Sequence, residues 1–251
     1  MKVSIIIPVY NEQGFIKKSI ESIINQTTKP QKVIYVNDSS TDKSRSIIEE
    51  FSEKYKWIDL VDHESEQQHV PGNKVVDAFN FGLKNLNINY DIICKFDADI
   101  ILPNNYLEKL IDIFSRNKNV GIAGGNLYIF KRGKWSYEKI AAKSHVRGPI
   151  KAYRQKCFKE INGLKSTIGW DTVDVLLAQK KGWKIYTDNN LKVKHLKPTG
   201  EKYSIKSKLL FGSIGYLIAL FQQRPFVVTK EEGYFIRKFR WNIIRKKYLK
   251  F

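Results

Sequence analysis

The residues of this chain best suited to chemistry are the two carboxylates of Asp97-Ala98-Asp99, which close the largely apolar run Tyr90–Phe96. A strand that ends in two acids one residue apart carries two anionic oxygen groups to one edge of a sheet. Hard divalent cations prefer such oxygens, and Mg²⁺ is held by one or two carboxylates together with substrate phosphates. Alone, the triplet also fits a solvated turn, so its meaning depends on what else reaches that edge. Three further polar clusters stand at comparable places: Pro8-Val9-Tyr10-Asn11-Glu12, Asn37-Asp38-Ser39-Ser40-Thr41-Asp42 and Gly169-Trp170-Asp171. In an open α/β sheet, ligands bind beyond the carboxyl ends of the strands, so these loops are expected to converge.

Strands and helices must alternate to place them. Val3–Pro8, Val33–Val36, Ile58–Val61 and Ile92–Phe96 are short apolar runs that read as buried strands. Between them, apolar residues at helical spacing predict helices over Glu12–Gln26, Thr41–Tyr55, Val75–Leu86 and Asn105–Phe114. This alternation predicts an α/β fold with parallel strands. Further on, Gly121–Phe130 reads as a strand, Thr172–Lys181 as a helix, and Trp183–Thr187 and Leu191–His195 as two short strands. The segment Trp135–Arg147 fits no element. Turn residues at Pro198-Thr199-Gly200 set a boundary between a domain over 1–200 and an extension over 201–251.

At 251 residues, with 42% hydrophobic and 27% charged residues, the chain can bury a substantial core. Two cysteines, Cys94 and Cys157, offer no disulfide framework and suit a reducing compartment. The N-terminus enters a strand without the apolar segment and cleavage site of a signal peptide. No stretch reaches the roughly 18 to 20 apolar residues that span a bilayer, so a cytoplasmic protein is expected. The net charge is +19, and Glu201–Phe251 carries twelve Lys/Arg against three Asp/Glu. Within that extension, Leu209–Phe221 is uncharged, and Tyr234–Phe251 mixes aromatic and apolar residues with clustered cations. A basic helix of this kind suits an anionic membrane surface, here the inner face of the cell membrane.

The strings Val3–Glu12 and Val36–Asp42 and the triplet Asp97-Ala98-Asp99, taken together, resemble the inverting family 2 glycosyltransferases over about residues 3–196. The resemblance implies the glycosyltransferase-A fold, Rossmann-like, with a mixed, mostly parallel sheet and here a basic C-terminal helical extension. It implies metal-dependent transfer from a nucleoside-diphosphate sugar, UDP favoured over GDP, to a glycan or lipid-linked acceptor, as in polysaccharide biosynthesis. By the same resemblance Asp38 meets the nucleotide base, while Pro8, Val9, Tyr10 and Glu12 line base and ribose. Asp97, Ala98 and Asp99 form the metal motif for Mn²⁺ or Mg²⁺, with Asp99 the direct ligand. His195 either completes that motif or is structural, and Lys74 either neighbours the nucleotide or starts a helix in solvent.

Asp171 matches the family's catalytic base, and Gly182-Trp183 follow it at the family's spacing. Displacement at an anomeric carbon needs a carboxylate to accept the acceptor's proton. The competing reading is that Asp171 caps the helix beginning at Thr172, with Asp174 as the fallback base. Asn37, Ser39 and Trp170 depart from the family's acid, glycine and glutamate. Trp170 is either a platform for an acceptor sugar or a core residue. Tyr153 and Arg154 resemble the segment that supports donor and acceptor.

Two other functional classes fit less of the sequence. A nucleic-acid-binding module would use the basic, aromatic extension, but no recognised binding motif accompanies it, so no nucleic acid is expected. The first strand is not followed by Gly-x-Gly-x-x-Gly, which argues against a dinucleotide-dependent oxidoreductase. A non-catalytic sugar-nucleotide-binding protein stays open on the departures at Asn37 and Trp170.

Overall fold

The computed structural model describes residues 1–65, 73–138, 145–166 and 169–197. The expected boundary at Pro198–Gly200 and the extension over 201–251 lie outside the described residues. Four strands open the fold: β1 (Val3–Val9), β2 (Lys32–Asp38), β3 (Ile58–His63) and β4 (Ile92–Phe96). They lie side by side in the order β3-β2-β1-β4, all parallel. Parallel strands need both faces covered, and the sequence supplies apolar side chains in both directions. Ile5, Ile7, Val33 and Tyr35 face α1 (Ile16–Ile24), α2 (Ser44–Lys54) and α4 (Tyr106–Arg116) in one core. Ile6, Ile34 and Val36 point the other way, against Gly82 of α3 (Asn73–Lys84).

The sheet then turns mixed. β8 (Ile150–Arg154) runs antiparallel to β4, with Phe96 opposite Ile150 and Ile92 opposite Arg154. β6 (Val120–Lys131) continues the sheet antiparallel to β8, and β9 (Lys184–His195) lies parallel to β6. The short β5 (Ile100–Ile101) closes the path on β9, while β7 (Lys134–Tyr137) forms a hairpin with β6. α5 (Gln155–Glu160) and α6 (Trp170–Lys180) follow β8. Among the described residues, no helix is long and apolar enough to cross a membrane.

Beyond the unforeseen short elements β5, β7 and α5, three features differ from the sequence expectations. α1 begins at Ile16, because the Glu12 carbonyl already accepts the Phe15 and Ile16 N–H groups in a turn (2.9 Å each). The two strands expected over Trp183–Thr187 and Leu191–His195 are one strand with a bulge: Gly124 pairs with Thr187, Asn126 with Lys192. Opposite that bulge a Cβ on Gly125 would lie 2.2 Å from the Leu191 carbonyl oxygen, so only glycine permits the approach. β8 was not foreseen, since its second residue is a lysine, and charge in a run so short reads as surface.

Candidate active site

Past β4 the chain enters Asp97-Ala98-Asp99. The Ala98 methyl is buried in the core, so Ala98 can face a ligand only through its backbone. The Asp97 N–H donates to the Pro149 carbonyl (3.0 Å), and the Leu196 N–H donates to the Asp99 carbonyl (2.9 Å). Ile100 pairs with His195, which brings the end of β9 against the triplet. One ligand atom each from Asp97, Asp99 and His195 then lie within 4.8 Å of one another. Two carboxylates and an imidazole form a donor set that suits Mn²⁺, and less readily Mg²⁺.

The electrostatics agree with that fit. Burial, with the charges of Asp97 and Glu12, pushes the Asp99 carboxyl up to about 6, against the opposing pull of His195 and Lys197. A divalent cation would offset the anionic charge that burial and crowding disfavour. Burial alone would lower the His195 pKa; the hydrogen bond with Glu138 and the charges of Asp99 and Asp97 outweigh it and raise the pKa. His195 Nδ1 lies 3.3 Å from Glu138 Oε2, and its Nε2 lies 3.6 Å from Asp99 Oδ2. Arg147 Nη1 in turn sits 3.3 Å from Glu138 Oε2, with both residues buried. A carboxylate on one imidazole nitrogen aims the other at a cation.

Two lysines complete this cluster. Lys197 pairs with Glu12 and stands 4.0 Å from Asp99 Oδ2. Lys95, only 2% exposed, pairs with Asp97. Glu12 thus leans toward the acidic triplet from the β1 side.

Asp171 reaches the same edge from another direction. A Cβ on Gly148 would lie 3.3 Å from Asp171 Cβ and 3.4 Å from its Oδ2, so glycine gives the carboxylate its place. Gly148 adjoins Pro149, the residue bonded to Asp97. Asp171 stands in the first turn of α6, where the helix dipole favours negative charge, and caps nothing with its side chain; Gly169 occupies the N-cap. Half-buried His145 feels its charge: burial and Lys151 lower the imidazole pKa, against the pull of Asp171 and Asp174.

Behind Asp171 lies a buried polar network. Lys151 is fully buried; its ammonium donates to both Asp174 carboxylate oxygens (2.6 and 2.7 Å) and to the Asp171 carbonyl. Asp174, 1% exposed, also accepts from the Tyr153 hydroxyl and the Val175 N–H. Trp170 is 8% exposed, with the Lys95 and Lys151 ammonium groups 5.1 and 5.6 Å from its ring.

At the other end of the edge, the β1 and β2 loops are zipped together. The Asn11 N–H donates to Ser40 Oγ (3.1 Å), Glu12 N–H to Ser44 Oγ (2.6 Å) and Gln13 N–H to Asp42 Oδ2 (3.1 Å). Asp38, 8% exposed at the end of β2, accepts from the Ser65 N–H (2.9 Å) and from the Ser65 hydroxyl. Asn37 donates to Asp62 Oδ1 (2.8 Å), which explains why an acid is absent there: a second carboxylate would face Asp62. Ser39 stands at φ +57°, a left-handed conformation that favours glycine. Val9 is buried in the core, Pro8 pairs with Val36, and Tyr10 is exposed at the edge. Lys74 is half-buried in the first turn of α3.

Comparison with known proteins decides the family. The description Glycosyl transferase family 2 matches residues 4–169. The chain belongs to glycosyl transferase family 2. It is 34% identical to the glycosyltransferase GlyA of Streptococcus pneumoniae over 53% of this chain and 18% of that protein. The chain therefore spans well under two thirds of such a relative. A Methanococcus voltae relative, a dolichyl N-acetyl-α-D-glucosaminyl phosphate 3-β-D-2,3-diacetamido-2,3-dideoxy-β-D-glucuronosyltransferase, is 26% identical over 84% of this chain and 72% of its own length. In fold, the chain is similar to S. aureus TarS 1-349 in complex with UDP-GlcNAc (TM-score 0.68, 18% identity, 98% of this chain, 73% of that one). It is also similar to the mannosyltransferase PcManGT of Pyrobaculum calidifontis in complex with GDP-Man and Mn²⁺ (TM-score 0.63, 20% identity, 80% and 58%). These likenesses carry the glycosyltransferase-A fold, mixed α/β and Rossmann-like.

Against that family pattern, the structure corrects three expectations. Asp174 cannot serve as a fallback base, because its oxygens are committed to Lys151 and Tyr153 away from solvent. Of the two readings of Trp170, the structure takes the core one: the side chain is buried, with the Lys95 and Lys151 ammonium groups over its ring. Arg154 sits opposite Ile92 at the far end of β4, and its guanidinium holds the Phe114, Asn117 and Val120 carbonyls. Tyr153, wholly buried on Asp174, likewise touches no ligand edge. The sequence reading missed Glu138, Arg147, Lys95, Lys197 and Ser65. Lys95, a charge inside a five-residue apolar strand, carried a visible signal; Glu138 lay in the segment that fitted no element.

Proposed function

We propose that this family 2 domain transfers a sugar from a nucleoside-diphosphate sugar to a hydroxyl of a glycan or lipid-linked acceptor, in one displacement with inversion. The observation that carries this reading is the convergence of the Asp97-Asp99-His195 cluster and Asp171 on the Gly148-Pro149 corner, with Asp38 on the same sheet edge. Asp38 takes the nucleobase, and the Tyr10–Glu12 backbone lines the ribose. Lys197, beside Asp99, and Lys74 add positive charge toward the diphosphate. Asp97, Asp99 and His195 would hold a divalent cation, which when bound neutralises charge on the diphosphate leaving group. Asp171 accepts the proton of the acceptor hydroxyl as its oxygen bonds to the anomeric carbon, and the bond to the diphosphate breaks on the opposite face.

UDP is favoured over GDP; the UDP-GlcNAc-bound TarS and the GDP-Man-bound PcManGT are precedents of this fold. The dolichyl-phosphate-linked substrate named for the M. voltae relative supports a lipid-linked acceptor. A domain over 1–200 with a membrane-facing extension over 201–251, on the cytoplasmic face, completes the proposal. The test is thermal-shift screening of nucleoside diphosphates and their sugars with Mn²⁺ or with EDTA, followed by transfer assays. Stabilisation by one nucleotide only with the cation is expected. Asp171→Asn should keep donor binding and lose transfer by about 10²- to 10⁴-fold. Donor binding with no transfer to any glycan or lipid acceptor would leave a binding protein instead.

A further inference from the structure

The β6–β7 hairpin turns through Arg132 (φ +52°) and Gly133 (φ +74°), the backbone of a tight two-residue turn. Lys131 and Lys134 face each other across it, so the tip reads Lys-Arg-Gly-Lys. Just behind the tip, Phe130 pairs with Trp135, their rings edge to face at 5.5 Å; two residues further, Tyr128 pairs with Tyr137 at 6.0 Å. Phe130 is 61% exposed. β9 adds Lys194 over the Trp135 ring (5.3 Å) and Lys192 over the Tyr128 ring (5.8 Å). β6 and β7 hold no acid, and the one acid of β9, Asp188, lies in the bulge away from the tip.

We propose that this hairpin docks on the surface of an anionic phospholipid bilayer, with Phe130 and Trp135 in the headgroup layer and the five cations on lipid phosphates. The ring geometry chooses the partner. Stacking on bases or sugar rings needs free, flat aromatic faces. Here Lys192 and Lys194 stand over Tyr128 and Trp135, and the outermost pair is edge to face, an apolar wedge between cations. Such a wedge, with tryptophan and lysine at its rim, matches the membrane interface. Each cation near an anionic leaflet multiplies binding about fivefold. Ile129 pairs with His195, so the tip lies only three residues, about 10 Å of strand, beyond the acidic cluster. That last point rests on the transfer reading, since it would hold the site near a lipid-linked hydroxyl; the docking itself does not.

The experiment uses the full chain carrying Arg132→Cys labelled with an environment-sensitive nitrobenzoxadiazole dye; Cys94 and Cys157 are buried and escape the label. The probes are vesicles of phosphatidylcholine alone and of phosphatidylcholine with phosphatidylglycerol. A blue shift with the anionic vesicles alone is expected, with binding weakened at least 25-fold by Lys131→Glu plus Lys134→Glu (about fivefold per cation). Phe130→Ser, at an exposed position that leaves folding intact, should abolish the blue shift. Vesicle cosedimentation with a silent label would overturn the proposal, since the docking surface would then lie elsewhere. So would an equal response to soluble polyglycerol phosphate, which would assign the hairpin to an anionic glycan. Transfer to a soluble acceptor should be unchanged in the Lys131→Glu, Lys134→Glu protein, which separates this inference from the transfer reading.

Discussion

Glu138 shows how much of the proposed cation site sits behind its candidate ligands. It offers nothing to a substrate directly, yet it holds His195 Nδ1 at 3.3 Å and leaves Nε2 toward Asp99. Glu138→Gln should therefore weaken Mn²⁺ binding about 10- to 100-fold, measured by electron paramagnetic resonance on the free protein. An unchanged affinity would make Glu138 merely an anchor for Arg147. Protonation sets a second test at the same residues. The Asp99 pKa is raised to about 6, and that of His195 is also raised, so the folded chain holds their protons at pH values where the unfolded chain has released them. Their contribution to stability is then present at low pH and lost as pH rises through the folded pKa values. Mn²⁺ needs both groups deprotonated, so the gain in melting temperature on adding it should be larger at pH 8 than at pH 5. A gain that is flat with pH would remove these groups from the cation site. Asp97, Asp99 and His195 were legible because they stand at the ends of strands that the sequence shows. Glu138 was not, because its position depends on a hairpin partner, the Leu127 carbonyl that accepts its N–H.

Among the elements, β8 and α6 act as a pair. Lys151 on β8 bonds the Asp171 carbonyl and the Asp174 carboxylate, so one buried ammonium fixes the first two turns of the helix that carries the proposed base. Removing one partner of a buried ion pair strands the other, at about 3–5 kcal/mol. Lys151→Met should lose stability of that order in urea unfolding, and Lys151→Met with Asp174→Leu should recover most of it. Recovery of transfer need not follow, because the tie to the Asp171 carbonyl stays broken. If the double variant is no more stable than the single one, the ion pair is not what anchors α6. The helix α6 was legible from its spacing, whereas β8 was not, and for one physical reason: a sequence pattern assigns charges to the surface. Lys151 and Asp174 invert that rule by burying each other. β9 was split for a related reason, since Asp188-Asn189-Asn190 has turn chemistry that the chain accommodates as a bulge beside Gly125.

At the scale of the molecule, the parallel half of the sheet supplies the proposed nucleotide loops and the mixed half supplies His195, Glu138 and the Gly148 corner for Asp171. The parallel half was legible, because its strands are continuous apolar runs separated by helices of regular spacing. The mixed half was not, because its pairings join residues that are distant in the chain. Asp38 and the acidic triplet follow strands separated by β1 alone, about 10 Å at ordinary strand spacing. A nucleoside diphosphate that spans them would place its phosphates at the crowded carboxylates, which they would repel without a cation. Donor and cation should therefore bind with positive coupling. The affinity for UDP, measured by calorimetry, should rise at least tenfold when Mn²⁺ replaces EDTA. By linkage, the affinity for Mn²⁺ must rise by the same factor when UDP is present. Equal UDP affinity in Mn²⁺ and in EDTA would show that the two halves of the sheet edge serve separate ligands, and the shared pocket would be wrong.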